Sequence, residues 1–132
     1  MVGKTKVALV GIGKIAKDQH VPSIATSDEG DLAATVSREG TVEGAPAYTD
    51  IDTMLAENPD IGVVSLCLPP VPRYDFAAAC LRAGRHVMLE KPPGATLAEC
   101  YDLGAMAADA GVVLFATWHS RMAKGVQAAK AA

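Results

Sequence analysis

Lys91 ends an apolar run, His86-Val87-Met88-Leu89-Glu90, and is followed at once by Pro92, Pro93 and Gly94. A strand that delivers a lysine to a proline-stiffened loop sets the origin of an ammonium group. Such a group can hydrogen-bond a hydroxyl and stabilise negative charge that grows on it. If desolvated it can also relay a proton, because burial lowers a lysine pKa. The competing reading is a strand-end lysine paired with Glu90. Adjacent strand residues point to opposite faces, which weakens that pairing. Far upstream, Lys6-Val7-Ala8-Leu9-Val10 runs into Gly11-Ile12-Gly13-Lys14-Ile15-Ala16. A strand entering a Gly-x-Gly-x-x-Ala turn reads as a dinucleotide pyrophosphate site, and an ordinary glycine-rich turn is the plainer alternative. Together the two segments point to nicotinamide-dependent redox chemistry with a lysine at the reacting centre.

In the turn, Gly11 lets the chain leave the strand sharply, Gly13 lets the backbone approach phosphate, and Ala16 lets the helix pack closely. Ile12, Lys14 and Ile15 are expected at the cofactor too, where a helix from about Lys14 to Ile24 aims its N–H groups at the pyrophosphate. The second strand ends Thr35-Val36-Ser37-Arg38. An NAD site usually places an acid there to hold the ribose hydroxyls. Ser37 can instead donate to a 2′-phosphate, and Arg38 can neutralise it and stack on adenine. NADP is therefore preferred and NAD possible, with a solvated surface arginine as the alternative.

These groups need a scaffold that brings distant strand ends to one edge. Strands are expected at Val7–Val10, Leu32–Val36, near Ala47–Tyr48, over Ile61–Leu68, at His86–Leu89 and at Val112–Ala116. The apolar continuity of Ile61–Leu68 suits a strand covered on both faces. Helices are expected to about Ser27, over Ile51–Glu57 with Asp50 or Asp52 as cap, and from Pro72 to Ala83, stopping at Gly84. Another opens at the capping box Thr96-Leu97-Ala98-Glu99 and closes at Gly111. Alternating strands and helices behind a first-turn glycine motif predict an α/β, doubly wound parallel sheet, the NAD(P)-binding Rossmann fold.

The chain has 132 residues, half of them apolar, enough for one domain with a real core. A net charge of −3 argues against nucleic acid and anionic membranes as partners. Apolar runs such as Val7–Val10 are far too short to span a bilayer, and the N-terminus lacks a signal-peptide pattern. The three cysteines, Cys67, Cys80 and Cys100, form no CxxC and have no histidine at ligand spacing, so no metal is expected. Reduced thiols in a cytoplasmic protein are the expectation, with Cys67 a small core residue.

The glycine turn, Leu66-Cys67-Leu68-Pro69-Pro70 and Ala83-Gly84-Arg85-His86-Val87-Met88-Leu89-Glu90-Lys91-Pro92 resemble the N-terminal half of the glucose–fructose oxidoreductase/inositol dehydrogenase (Gfo/Idh/MocA) family. Within it, residues 11–20, 90–97 and 114–121 look most like bacterial L-arabinose/D-galactose 1-dehydrogenases. That resemblance implies hydride transfer from the anomeric carbon of an aldopyranose to NAD(P), giving a lactone. It implies that residues 1–132 are the Rossmann domain, and that the family's C-terminal substrate domain, which carries the acid/base residue, is absent from this chain. It also implies a small-molecule sugar substrate and a homo-oligomer at full length. Cofactor contacts are expected from Cys67, Leu68, Pro69, Pro70, Glu90, Lys91 and Trp118, with Pro69 and Pro70 shaping a loop beside the nicotinamide ribose. Substrate contacts are expected from Lys91 and His119. His119 reads equally as structural, and Trp118 serves either a sugar face or an interface. His20 reads as a packing residue and His86 as structural. The family usually has a histidine a few residues after the strand-four proline, where this chain has Val71-Pro72-Arg73-Tyr74. Two other functions fit the same residues: a non-catalytic NAD(P) sensor, against which Lys91 argues, and inositol or glucose–fructose oxidation.

Overall fold

In the computed structural model, which describes residues 3–132, six strands form one parallel sheet. They are β1 (Thr5–Val10), β2 (Gly30–Val36), β3 (Ala47–Tyr48), β4 (Val63–Leu66), β5 (His86–Leu89) and β6 (Leu114–Ala116). Their order is β3-β2-β1-β4-β5-β6, and each neighbouring pair is parallel. The order reverses between β1 and β4, so the loops leaving these two strands diverge and open a crevice at the carboxyl edge. The helices are α1 over residues 14–25, α2 (Ile51–Glu57), α3 (Pro70–Arg82), α4 (Leu97–Ala110) and α5 (Val126–Ala131), with a 3₁₀ turn at His119–Met122. Among the described residues no helix is long and apolar enough to cross a membrane.

Side-chain alternation along β1 divides the core. Ala8 and Val10 face one layer, where α2, α3 and α4 bury Met54, Leu81 and Leu103 against Val64, Leu66 and Leu89. Leu9 faces the other layer, where it packs with Ile12 and Ala16 against Val21, Ile24 and Cys67. Alanine at position 16 is fully buried there, as close helix–strand packing requires.

Boundaries moved where local chemistry competed with the strand pattern. The last strand begins at Leu114 rather than Val112, because Val112 N–H is spent on the Ala107 carbonyl at the end of α4. His86 Nδ1 then accepts from Val113 N–H at 3.0 Å, joining β5 to β6. Helix α3 begins at Pro70 rather than Pro72; proline in a first turn forfeits no intrahelical bond. Pro70 is thus a helix residue, not a loop residue. The expected caps stand: Asp50 accepts from Thr53 N–H at 2.7 Å, and Thr96 and Glu99 form the reciprocal box. Helix α1 holds a π segment at Ala16–His20, in which Val21 N–H reaches back five residues to Ala16. Pro22 follows at once and has no N–H for the Asp18 carbonyl, which accounts for the wider winding.

Candidate active site at the carboxyl edge of the sheet

Because all strands run the same way, their carboxyl ends meet on one edge. Along it stand the Gly11–Gly13 turn from β1, Ser37-Arg38 from β2, Cys67–Pro69 from β4, Glu90-Lys91 from β5 and Thr117–His119 from β6.

The β1–β2 end is a cleft of about 470 Å³ lined by Gly11, Ser37, Arg38, Asp50, Leu68 and Phe76, among others. Gly11 has φ +83°, and a Cβ there would lie 2.7 Å from Leu68 N. The turn is therefore packed against the β4 loop, and glycine serves the protein itself. Gly13 differs: a Cβ there meets nothing within 4 Å. The space over Gly13 is open beside the first N–H groups of α1, Lys14 and Ile15 among them, which have no partner four residues back. Such a bare backbone cradle at a helix start fits a pyrophosphate. The Lys14 side chain turns away to pair with Asp18. Ser37 Oγ accepts from Gly40 N–H at 3.1 Å, leaving its own proton to donate. A Cβ at Gly40 would lie 2.5 Å from the Ile12 carbonyl oxygen, so the Ser37–Gly40 loop is seated on the glycine turn. Arg38 is exposed at the mouth. Asp50 also lines the cleft, but its Oδ2 is committed to Thr53 N and Oγ1, both at 2.7 Å. Cys67 does not line the cleft; it packs beneath the turn against Leu9, Ile12 and Ala16, and burial pushes its thiol up to about 11.

At the β5–β6 end, Lys91, Pro92, Trp118, His119 and Ser120 line a second hollow of about 210 Å³. The Lys91–Pro92 peptide is cis. Lys91 is exposed, so this domain alone does not desolvate it. Trp118 is 64% exposed and His119 lies beside it at the start of the 3₁₀ turn, both open to a ligand or a covering surface.

Glu90 takes no part in a salt bridge with the Lys91 side chain among the described residues. Its Oε1 lies 2.8 Å from His20 Nε2, and its Oε2 accepts from the Lys91 backbone N–H at 3.1 Å. Burial pushes the Glu90 carboxyl up, but the His20 and Lys91 hydrogen bonds outweigh it and hold the group below the ordinary carboxylate range. The other ring nitrogen of His20 lies 3.2 Å from Ser65 Oγ on β4. His20 is therefore part of the polar network under the site rather than a simple packing residue. Arg73 was also missed. Its side chain is 2% exposed, and its donors reach the carbonyls of Leu68, Glu90 and Pro92. No spacing rule joins residues this far apart. The one signal for Arg73 was its place in a departure from the family pattern.

Comparison with known proteins agrees with this architecture. Residues 5–118 match the family described as "Oxidoreductase family, NAD-binding Rossmann fold". Galactose 1-dehydrogenase of Pseudomonas fluorescens is 36% identical over 92 residues, covering 70% of this chain and 30% of that protein. The crystal structure of D-galactose-1-dehydrogenase from Rhizobium etli is 55% identical with a TM-score of 0.95, over 99% of this chain and 42% of that one. GenD2 from gentamicin A biosynthesis, solved in complex with NAD, is 30% identical with a TM-score of 0.80, over 88% of this chain and 35% of that one. The chain thus spans less than half the length of each of these relatives. With its glycine cradle, its sheet order and a family match running from β1 through Trp118, the chain belongs to the Gfo/Idh/MocA oxidoreductases as their NAD-binding Rossmann domain.

Proposed function

We propose that this chain is the cofactor-binding part of a sugar 1-dehydrogenase that oxidises an aldopyranose, D-galactose or L-arabinose, at its anomeric carbon and prefers NADP to NAD. The observation that carries the reading is the shared edge. The open backbone at Gly13 and the Lys91–Trp118–His119 hollow lie on one side of one sheet, with the switch point between them. Its two most similar relatives reported above are galactose 1-dehydrogenases, which supports the sugar.

A bound nicotinamide supplies the acceptor for the hydride that leaves C1. The residues of the chain do the rest. Gly13 and the start of α1 hold the pyrophosphate, and Ser37 and Arg38 hold the 2′-phosphate. The Lys91 ammonium donates a hydrogen bond to O1 and stabilises the negative charge that grows there as the proton departs. Trp118 offers an apolar face to the sugar ring, and His119 hydrogen-bonds its hydroxyls. A further domain supplies the floor of the sugar site and the base that accepts the O1 proton.

Turnover of the full gene product with a panel of aldoses and both cofactors tests this reading. D-Galactose or L-arabinose should yield reduced cofactor, with kcat/KM higher for NADP. Cofactor binding without turnover of any aldose would support a sensor instead, and oxidation of inositol alone would replace the substrate class.

A further inference from the structure

The reading of Lys91 leaves open what holds it still. Lys91 is exposed and lies in a loop, not in the strand, so its own side-chain packing does not orient it. The backbone around it is held from below. Arg73, in the first turn of α3, is nearly fully buried and forms no ion pair with a carboxylate among the described residues. All its hydrogen bonds go to main-chain carbonyls. Nε and Nη2 both donate to Leu68 O, at 3.1 and 2.6 Å. Nη1 donates to both Glu90 O and Pro92 O, the two carbonyls that flank Lys91. With the Lys91 N–H given to the Glu90 carboxylate, the lysine's backbone is tied on both sides and at its own amide.

We infer that Arg73 is a positioning residue for Lys91, its guanidinium clamping the β5 loop to the β4 loop and so setting the lysine against the nicotinamide end of the cleft. The inference rests on the proposed role of Lys91. A guanidinium suits the task because its planar fork serves three carbonyls at once, whereas an ammonium is a single point. Leu68 O belongs to the residue whose backbone abuts Gly11. The clamp therefore ties the lysine loop to the segment that also meets the phosphate turn. Burial disfavours the charged guanidinium, and the nearby Glu90 carboxylate opposes that.

The test compares Arg73→Lys, Lys91→Ala and the double variant in the full gene product, reading melting temperature, NADP Kd and kcat. Folded Arg73→Lys should keep its NADP Kd within about threefold of wild type while kcat falls about tenfold or more. The double variant should be no slower than Lys91→Ala, because Arg73 acts through Lys91. Additive losses, or a kcat loss no larger than the loss of NADP affinity, would overturn the inference. If Lys91→Ala collapses kcat while Arg73→Lys leaves it intact, the clamp falls and the lysine's role stands. If Lys91→Ala is fully active, the proposed reading itself falls and takes the clamp with it. Should Arg73→Lys fail to fold, the wild-type Arg73 Nε–H resonance decides the matter by NMR. It should be protected from exchange and should shift when NADP and the lactone product fill the site; an unmoved resonance would overturn the inference.

Discussion

Gly11 and Gly13 stand two residues apart, one closely packed and the other open, and with the pyrophosphate site proposed over Gly13 they yield a paired experiment. At Gly13 a Cβ meets nothing within 4 Å, and Gly13 is not among the glycines with positive φ. Gly13→Ala should therefore leave the fold intact and gain about 0.4–1 kcal/mol by restricting the unfolded chain. At Gly11 a Cβ would lie 2.7 Å from Leu68 N and 2.9 Å from Leu68 Cβ, on a backbone with φ +83°. The left-handed conformation costs a side chain about 1–2 kcal/mol, and the overlap about 1–3 more. The melting temperature of Gly11→Ala should then fall by something on the order of 10 °C. Cofactor binding should respond the other way round. A side chain at Gly13 keeps phosphate off the N–H groups, and losing two charged hydrogen bonds at about 1.5 kcal/mol each raises Kd roughly 100-fold. Gly13→Val should lose more. Thermal denaturation and fluorescence titration with NADP and NAD read both effects in the full gene product. A folded Gly13→Val protein with wild-type Kd for both cofactors would refute the pyrophosphate site. A Gly11→Ala protein with unchanged melting temperature would refute the packing argument.

Three further outcomes are expected. Arg38→Ala should weaken NADP by about 1–3 kcal/mol and leave NAD nearly unchanged in the same titration; equal losses would show that Arg38 does not read the 2′-phosphate. Lys91→Ala should raise the barrier by about 2.7–4 kcal/mol, seen as a fall in kcat with NADP Kd little changed, and a kcat within a few-fold of wild type would demote the lysine to a structural residue. The Glu90 carboxyl is held below its unfolded value of 4.5, so its contribution to stability is present above that pH and is lost as pH falls through the folded value. The melting-temperature gap between wild type and Glu90→Gln should accordingly be wide at neutral pH and narrow on acidification below about pH 4.5; a gap that widens in acid would refute the His20–Glu90 account.

What the sequence determined by itself was local. The glycine turn, the apolar strands, the cap of α2 and the Thr96–Glu99 box each depend on residues within a few positions. The box stands where expected, and the cap falls to Asp50 rather than Asp52. The strands form with shifted ends, Ile61–Leu68 contracting to Val63–Leu66 and Leu32–Val36 extending back to Gly30. The parallel sheet followed from the alternation of strands and helices, since parallel neighbours need crossovers. That sheet alone carries Lys91 and His119 to the edge that holds Gly13. The tertiary structure decided which side chains meet across that edge. His20 and Glu90 are 70 residues apart and touch because α1 packs over β1 and β2 with His20 at its flank, within reach of Ser65 on β4 and Glu90 at the end of β5. Arg73 reaches Pro92 because α3 starts at Pro70 and so turns its first coil under the β5 loop. Asp50 joins the cleft beside Arg38 although the strand-two end carries no acid. Val112, by contrast, left the last strand for a local reason: the cap of α4 claimed its N–H. For His20, Arg73 and Asp50, strand order and helix phase, set by the packing of the whole core, brought the partners together; neither is encoded in the spacing of the residues themselves.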